Sequence, residues 1–200
     1  MDIASILKEI LNDQLIAVYD KSESTIPFKS DIKPENGFLL GVAAAKKNVK
    51  SFVKYTATES VVSAKALITL GIDVIYDATT GSADGLFEAI VKANTSKNRK
   101  KNAPEVNLII VEPDLYLSVT PATSKYLIAS VVKRVDIAVS AIIGKAVNNS
   151  QLSDVIDAKA GIYGHRYGIG DKGIEIVIKS KALAAQTAAI NAAASAAYAN

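Results

Sequence analysis

Three short segments carry the residues whose types and spacing could do chemistry. The first is the loop Ala78-Thr79-Thr80-Gly81-Ser82-Ala83-Asp84-Gly85, which follows the apolar run Asp73-Val74-Ile75-Tyr76-Asp77. Its small residues let a ligand approach the backbone. Thr79, Thr80 and Ser82 offer hydroxyls, and the start of a helix offers free N–H groups. It is neither a Walker loop nor a dinucleotide fingerprint, because no Lys follows and the glycine spacing is wrong. A tight strand-to-helix turn capped by Ser or Asp would use the same residues. The second segment is Val111-Glu112-Pro113-Asp114. Glu112 and Asp114 follow a wholly apolar run, at the end of a strand where doubly wound folds bind ligands, and could accept hydrogen bonds from sugar hydroxyls. Pro113 fixes φ and Asp114 favours turns, so a plain turn also accounts for them. The third is Ser130-Val131-Val132-Lys133-Arg134-Val135-Asp136, where a short strand becomes a helix. A lysine near a helix start opposes the macrodipole, so Lys133 hints at a specific partner. The bland reading pairs Lys133 or Arg134 with Asp136 or Glu112, or leaves them in solvent.

Composition excludes other chemistries. The chain has 200 residues, no cysteine and one histidine. Disulfide scaffolds, thiolate sites, Cys nucleophiles and multi-His metal sites are therefore out. His165 has no acid–nucleophile pattern around it and reads as a hairpin surface residue. No cofactor is implied. Half the residues are apolar and 22% are charged, which is a globular balance. A net charge of +3 argues for neither nucleic acid nor an anionic membrane. The run Lys97-Asn98-Arg99-Lys100-Lys101 has no interleaved aromatics and reads as a solvated loop. No apolar stretch approaches the roughly 18 residues of a membrane span. Residues 1–13 do not read as a signal peptide, so the chain as written is expected to stay where it is made.

These segments need a scaffold that brings strand ends together. Apolar positions at helix spacing predict helices over 2–12, 34–47, 59–70, 84–95 and 131–147, with Phe38 inward in the second. Thr58 is placed to cap the third and Gly71 to close it. Short apolar runs predict strands over 14–20, 51–56, 73–77, 106–111, 126–130 and 174–178. The alternation implies a three-layer α/β/α sandwich with a mainly parallel, doubly wound sheet of about five or six strands. The glycine-rich stretch around Gly161, Gly164, Gly168, Gly170 and Gly173 reads as a hairpin or crossover. Residues 179–200 read as an alanine-rich helix with a thin apolar face, expected to dock weakly on a single lobe spanning 1–178.

Taken in order, the segments resemble the basic membrane protein family of bacterial solute-binding lipoproteins. That family includes the purine nucleoside receptors of the PnrA type and is close to type I periplasmic binding proteins. The resembling residues are Gly37-Phe38-Leu39-Leu40-Gly41, Asp73-Val74-Ile75-Tyr76 with the loop to Phe87, Val111-Glu112-Pro113-Asp114, and Ser130-Val131-Val132-Lys133-Arg134-Val135-Asp136-Ile137-Ala138-Val139. Gly161-Ile162-Tyr163 with Gly170-Asp171-Lys172-Gly173-Ile174 is similar to its glycine-rich C-terminal segment. The resemblance covers roughly 35–178 and matches the second lobe of a two-lobed protein, plus hinge-crossing segments. It implies a nucleoside-like small-molecule ligand, an ABC transporter permease as partner and an extracytoplasmic, membrane-anchored setting. Glu112 stands where the family has an Asp that bonds ribose hydroxyls. Lys133 stands at its ribose-contacting Lys, and Gly81 and Ser82 stand in the loop lining the cleft. The first lobe, the lipobox cysteine and an obvious stacking aromatic have no counterpart.

The expected function is a solute-binding module taking the ribose end of a purine nucleoside, with Gly81, Ser82, Glu112, Asp114 and Lys133 as ligand contacts and no catalysis. The alternative is a ligand-free interaction protein, a homo-oligomer formed through the surface that would face the missing lobe. A nucleoside-processing enzyme ranks below both, because no nucleophile–base pair is present. Nucleic acid is not an expected partner.

Overall fold

Alternating and continuous apolar runs form the strands β1 (Gln14–Asp20), β2 (Lys50–Thr56), β3 (Val74–Ala78), β4 (Asn107–Val111) and β5 (Leu127–Lys133). After these come the short β6 (Val155–Asp157) and β7 (Ile162–Tyr163), then β8 (Ile174–Ile178). The helices are α1 (Ser60–Thr69), α2 (Asp84–Thr95), the single turn α3 (Pro121–Ser124), α4 (Val135–Val147), α5 (Lys181–Ala184) and α6 (Thr187–Tyr198). The structure is a computed structural model. It describes residues 14–20, 38–39, 50–56, 60–79, 82–111, 119–150, 155–157, 162–163 and 167–198. The expected helix over 2–12, most of that over 34–47, the Thr58 cap and His165 lie outside them.

Six strands form one sheet in the order β2-β1-β3-β4-β5-β8. The first five run parallel and β8 is antiparallel to β5. β6 and β7 form a separate antiparallel pair, in keeping with the hairpin expected near Gly161. Side chains alternate across the sheet and define two cores. On one face Ile75, Leu108, Ile110 and Leu127 pack with Ala64 and Leu67 of α1 and Leu86, Phe87 and Ile90 of α2. On the other, Val74, Ile109 and Ile128 pack with Leu183 of α5 and Ile190 of α6. Phe38 reaches this second face and stacks on Tyr76, with ring centroids 4.9 Å apart.

Two glycines set local geometry. Gly71 closes α1 at φ +83°, a left-handed conformation that glycine adopts without a Cβ clash. Gly85 lets α1 and α2 approach, since a Cβ there would stand 3.3 Å from Val61 Cβ. The loop after α2 is clamped from within. Asn94 exchanges two 2.8 Å hydrogen bonds with the backbone of Val106. Arg99 donates to Asn94 Oδ1 at 2.6 Å and to the carbonyls of Ala103 and Pro104. One cation of the Lys97–Lys101 run therefore works inside its own loop.

Two expectations are corrected. The helix expected from 131 begins at Val135, because β5 runs on through Val131, Val132 and Lys133. Pairing with β8 extends it: Val132 lies opposite Glu175 and Lys133 opposite Ile174. Lys133 is thus the last strand residue and not a member of the helix's first turn. The alanine-rich tail is two helices. Its thin apolar face is nonetheless used, with Leu183, Ile190 and Ala194 each 4% exposed or less.

Candidate functional site

Parallel strands end on one side of the sheet, so their carboxyl ends make one edge. Register sets the order of residues along it. Asp20 lies opposite Thr56, Tyr19 opposite Ala78, Asp77 opposite Ile110, and Val111 opposite Val131. The edge therefore reads Thr56, Asp20, Thr79, Val111 and Lys133 from β2 to β5. Strand order reverses between β1 and β3, which is the switch point where open α/β sheets leave a crevice for ligands.

At the end of β3 the buried Asp77 carboxylate accepts the Thr79 N–H at 3.0 Å. This is a side-chain turn at the strand's end. Ser82 is exposed. Its hydroxyl donates to Asp84 Oδ2 at 2.9 Å and accepts the Asp84 N–H at 3.2 Å. Ser82 therefore bonds the first residue of α2, but Ala83 holds the N-cap position and no side chain caps the helix, so the expected Ser or Asp cap is not formed. Gly81 lies outside the described residues. Glu112 follows directly on Val111, the end of β4, and both Glu112 and Asp114 also lie outside them.

At the end of β5 two adjacent cations take different roles. Lys133 is exposed at the edge. Arg134 is enclosed by carboxylates. Its Nε and Nη2 donate to the two oxygens of Asp136 at 2.9 and 2.7 Å, and its Nη1 donates to Glu175 Oε2 at 2.8 Å. The Arg134 backbone N–H donates to the Gly173 carbonyl at 2.8 Å. Hydrogen bonding to Asp136, then to Glu175, raises the guanidinium pKa further above its ordinary value. The same guanidinium holds the Asp136 carboxyl below the usual carboxylate range. All three groups are substantially exposed, so the cluster orients the strand end more than it stabilises the fold.

A groove of about 350 Å³ opens beside this cluster. Arg134, Ile169, Lys172, Glu175 and Asn191 line it, with Ile174, the register partner of Lys133. Two cations, a carboxylate and an amide over an aliphatic wall suit a small polar solute. Among the described residues no group of three or more His, Cys, Asp or Glu is placed to hold a metal ion. No described helix is long and apolar enough to cross a membrane.

The structure thus brings Lys133 onto one edge with the strand ends that lead to Gly81, Ser82, Glu112 and Asp114. Sequence reasoning did not find Asp20 and Thr56 on that edge, since only the strand order places them there. It also named Asp136 but not Glu175 as a partner for Arg134. Those two residues are far apart in sequence and meet through the β5–β8 pairing.

No protein-family model and no curated protein matches the chain. Solved structures do. An ABC transporter solute-binding protein from Conexibacter woesei DSM 14684 superposes with a TM-score of 0.60 and 15% identity, over 98% of this chain and 60% of that one. A candidate transcription regulator from Staphylococcus saprophyticus subsp. saprophyticus gives a TM-score of 0.51 and 11% identity, over 90% of this chain and 60% of that one. At these identities the likeness is one of fold. The chain spans about 60% of the length of either protein.

Proposed function

We propose that this chain is a solute-binding module of the ABC-transport kind, and that its solute is nucleoside-like and held by its ribose end. The observation that carries this reading is the carboxyl edge itself. Five parallel strands end there beside a switch point, and the last presents Lys133 next to an arginine already fixed by two carboxylates. A cation so placed donates to sugar oxygens. Glu112 and Asp114, the next acidic residues along the chain from β4, accept from vicinal hydroxyls. Gly81 and Ser82 allow the ligand close to the loop that opens α2. No step of bond making or breaking is assigned to these residues. The solute-binding protein of similar fold supports the general role, a transporter permease as partner and an extracytoplasmic setting. The nucleoside rests on the resemblance of the three segments.

Closure of a second lobe supplies much of the burial a small ligand needs. Binding by this chain alone, which spans about 60% of the length of the solute-binding protein it resembles in fold, is therefore expected to be weak. Isothermal titration calorimetry with guanosine, adenosine, inosine and ribose tests it, with Lys133→Ala as control. Heat with the nucleosides that vanishes in the variant is the expected result. No heat at millimolar ligand, or heat unchanged by Lys133→Ala, overturns it.

A further inference from the structure

No residue of α4 is buried. Its large aliphatic side chains stand in solvent: Val135 is 65% exposed, Val139 49%, Ile142 49%, Ile143 57% and Val147 79%. Among the described residues the other exposed large apolar side chains are Phe52 on β2, Val62 in α1 and Leu70 just after α1. On α4 they form a stripe. Val135, Val139, Ile142 and Ala146 recur at alternating four- and three-residue spacing, the pattern of a coiled-coil seam. Neither charged residue of the helix, Asp136 or Lys145, occupies a seam position, and Asp136 is turned to Arg134.

We propose that α4 pairs antiparallel with α4 of a second copy of this chain. The stripe is self-complementary about a point between Ser140 and Ala141. A two-fold axis there sets Val139 against Ile142 of the partner subunit, and Val135 against Ala146 of the partner subunit. Bulk meets bulk at the centre and a small residue at each end, and no charge enters the seam. Antiparallel pairing also opposes the two helix dipoles. The contact is isologous and closes on itself, so it yields dimers and not fibres. A helix of 13 residues is about 20 Å long. Two such stripes bury less than the roughly 1,000 Å² that a lasting interface clears. The dimer is therefore a weak, concentration-dependent one. The nucleoside reading plays no part in this argument, and ligand is absent from its test.

The test is sedimentation velocity of the full chain from low to high micromolar concentration. A monomer–dimer equilibrium is expected, shifted to monomer by Ile142→Glu and by Val139→Lys. An equimolar mixture of those two variants recovers the dimer, because the new charges face each other across the seam. The sequence has no cysteine, so a second readout is available. Under mild oxidation, a mixture of V139C and I142C chains cross-links faster than either chain alone. Circular dichroism shows that each variant keeps its fold, and the disulfide readout stands if the charged variants do not. A chain that stays monomeric throughout overturns the proposal. So does a dimer that ignores Ile142→Glu, or a monomer whose α4 amides resist hydrogen exchange because another stretch of the same chain covers them.

Discussion

α2 and α4 each follow a parallel strand of the same sheet, and they differ in how they use apolar residues. α4 is the more apolar of the two, yet none of its residues is buried. α2 mixes apolar residues with Asp84, Glu88 and Lys92 and buries Leu86, Phe87, Ala89 and Ile90. The difference lies in pattern and in neighbours. α2 segregates its side chains, so one face meets α1 and the sheet while the charges stay outside. α4 carries its large aliphatic residues on a face that stands in solvent. Among the described residues it is tethered at its start, where Arg134 joins Asp136 to Glu175. Apolar content gives a helix the capacity for burial, and the surface opposite decides whether that capacity is used.

The comparison breaks or holds first on core truncation. Phe87→Ala is expected to cost about 3–5 kcal/mol, as loss of a buried ring does. Ile142→Ala, read at a concentration where the chain is monomeric, should change stability by less than about 0.5 kcal/mol. Urea unfolding of both variants measures this. A loss near 2 kcal/mol for Ile142→Ala would mean that α4 packs against its own chain.

The second face of the sheet sharpens the contrast. α6 is built mainly from alanine, so its attachment concentrates in few side chains. Ile190 is 2% exposed and packs with Val74, Ile109 and Ile128. Ile190→Ala should cost about 2–5 kcal/mol, whereas truncating any one exposed residue of α6 should cost almost nothing. Hydrogen exchange along 181–198 would show whether the whole tail loosens together. If Ile190→Ala is neutral, the tail does not depend on that contact.

Much of this was legible in the sequence, and the failures have a common cause. Expected and observed bounds coincide for the helix over 84–95 and the strand over 174–178, where the local pattern is complete. The six-stranded, mainly parallel sheet followed from the alternation of strand and helix signals. The end of β5 was misplaced because its last three residues owe their conformation to β8, a partner some forty positions away that no local window contains. The place of Asp20 and Thr56 on the edge was invisible for the same reason: strand order is a property of the whole chain. Of the site residues, Ser82 and Lys133 fall within the described structure, and Gly81, Glu112 and Asp114 fall outside it.

The tether of α4 gives the next prediction. Gly173 accepts the Arg134 N–H, and a Cβ at Gly173 would stand 2.6 Å from the Tyr167 carbonyl oxygen. Gly173→Ala must therefore push the 167–173 loop away, at a cost of about 1–3 kcal/mol. Because the same loop holds the start of α4, the variant should also weaken the Arg134–Glu175 contact. A measured stability equal to that of the parent would mean that the loop yields freely and is not the tether.

The smallest effect concerns the acids at the two helix starts. Asp84 opens α2 with a serine hydroxyl as its partner, whereas Asp136 opens α4 facing a guanidinium. Arg134 favours the charged form of Asp136, so its carboxyl titrates below the usual carboxylate range. A folded-state pKa lower than the unfolded one stabilises the fold above the unfolded value, and that contribution disappears as the pH falls through the folded value. Carbon-detected NMR titration should place the Asp136 midpoint below that of an unpaired aspartate, and Arg134→Ala should move it up toward the ordinary range. Added salt should narrow the gap, because the cluster is open to solvent. A midpoint unmoved by Arg134→Ala would assign the shift to the helix terminus alone. The start of α4 would then be held no more tightly than its exposed stripe.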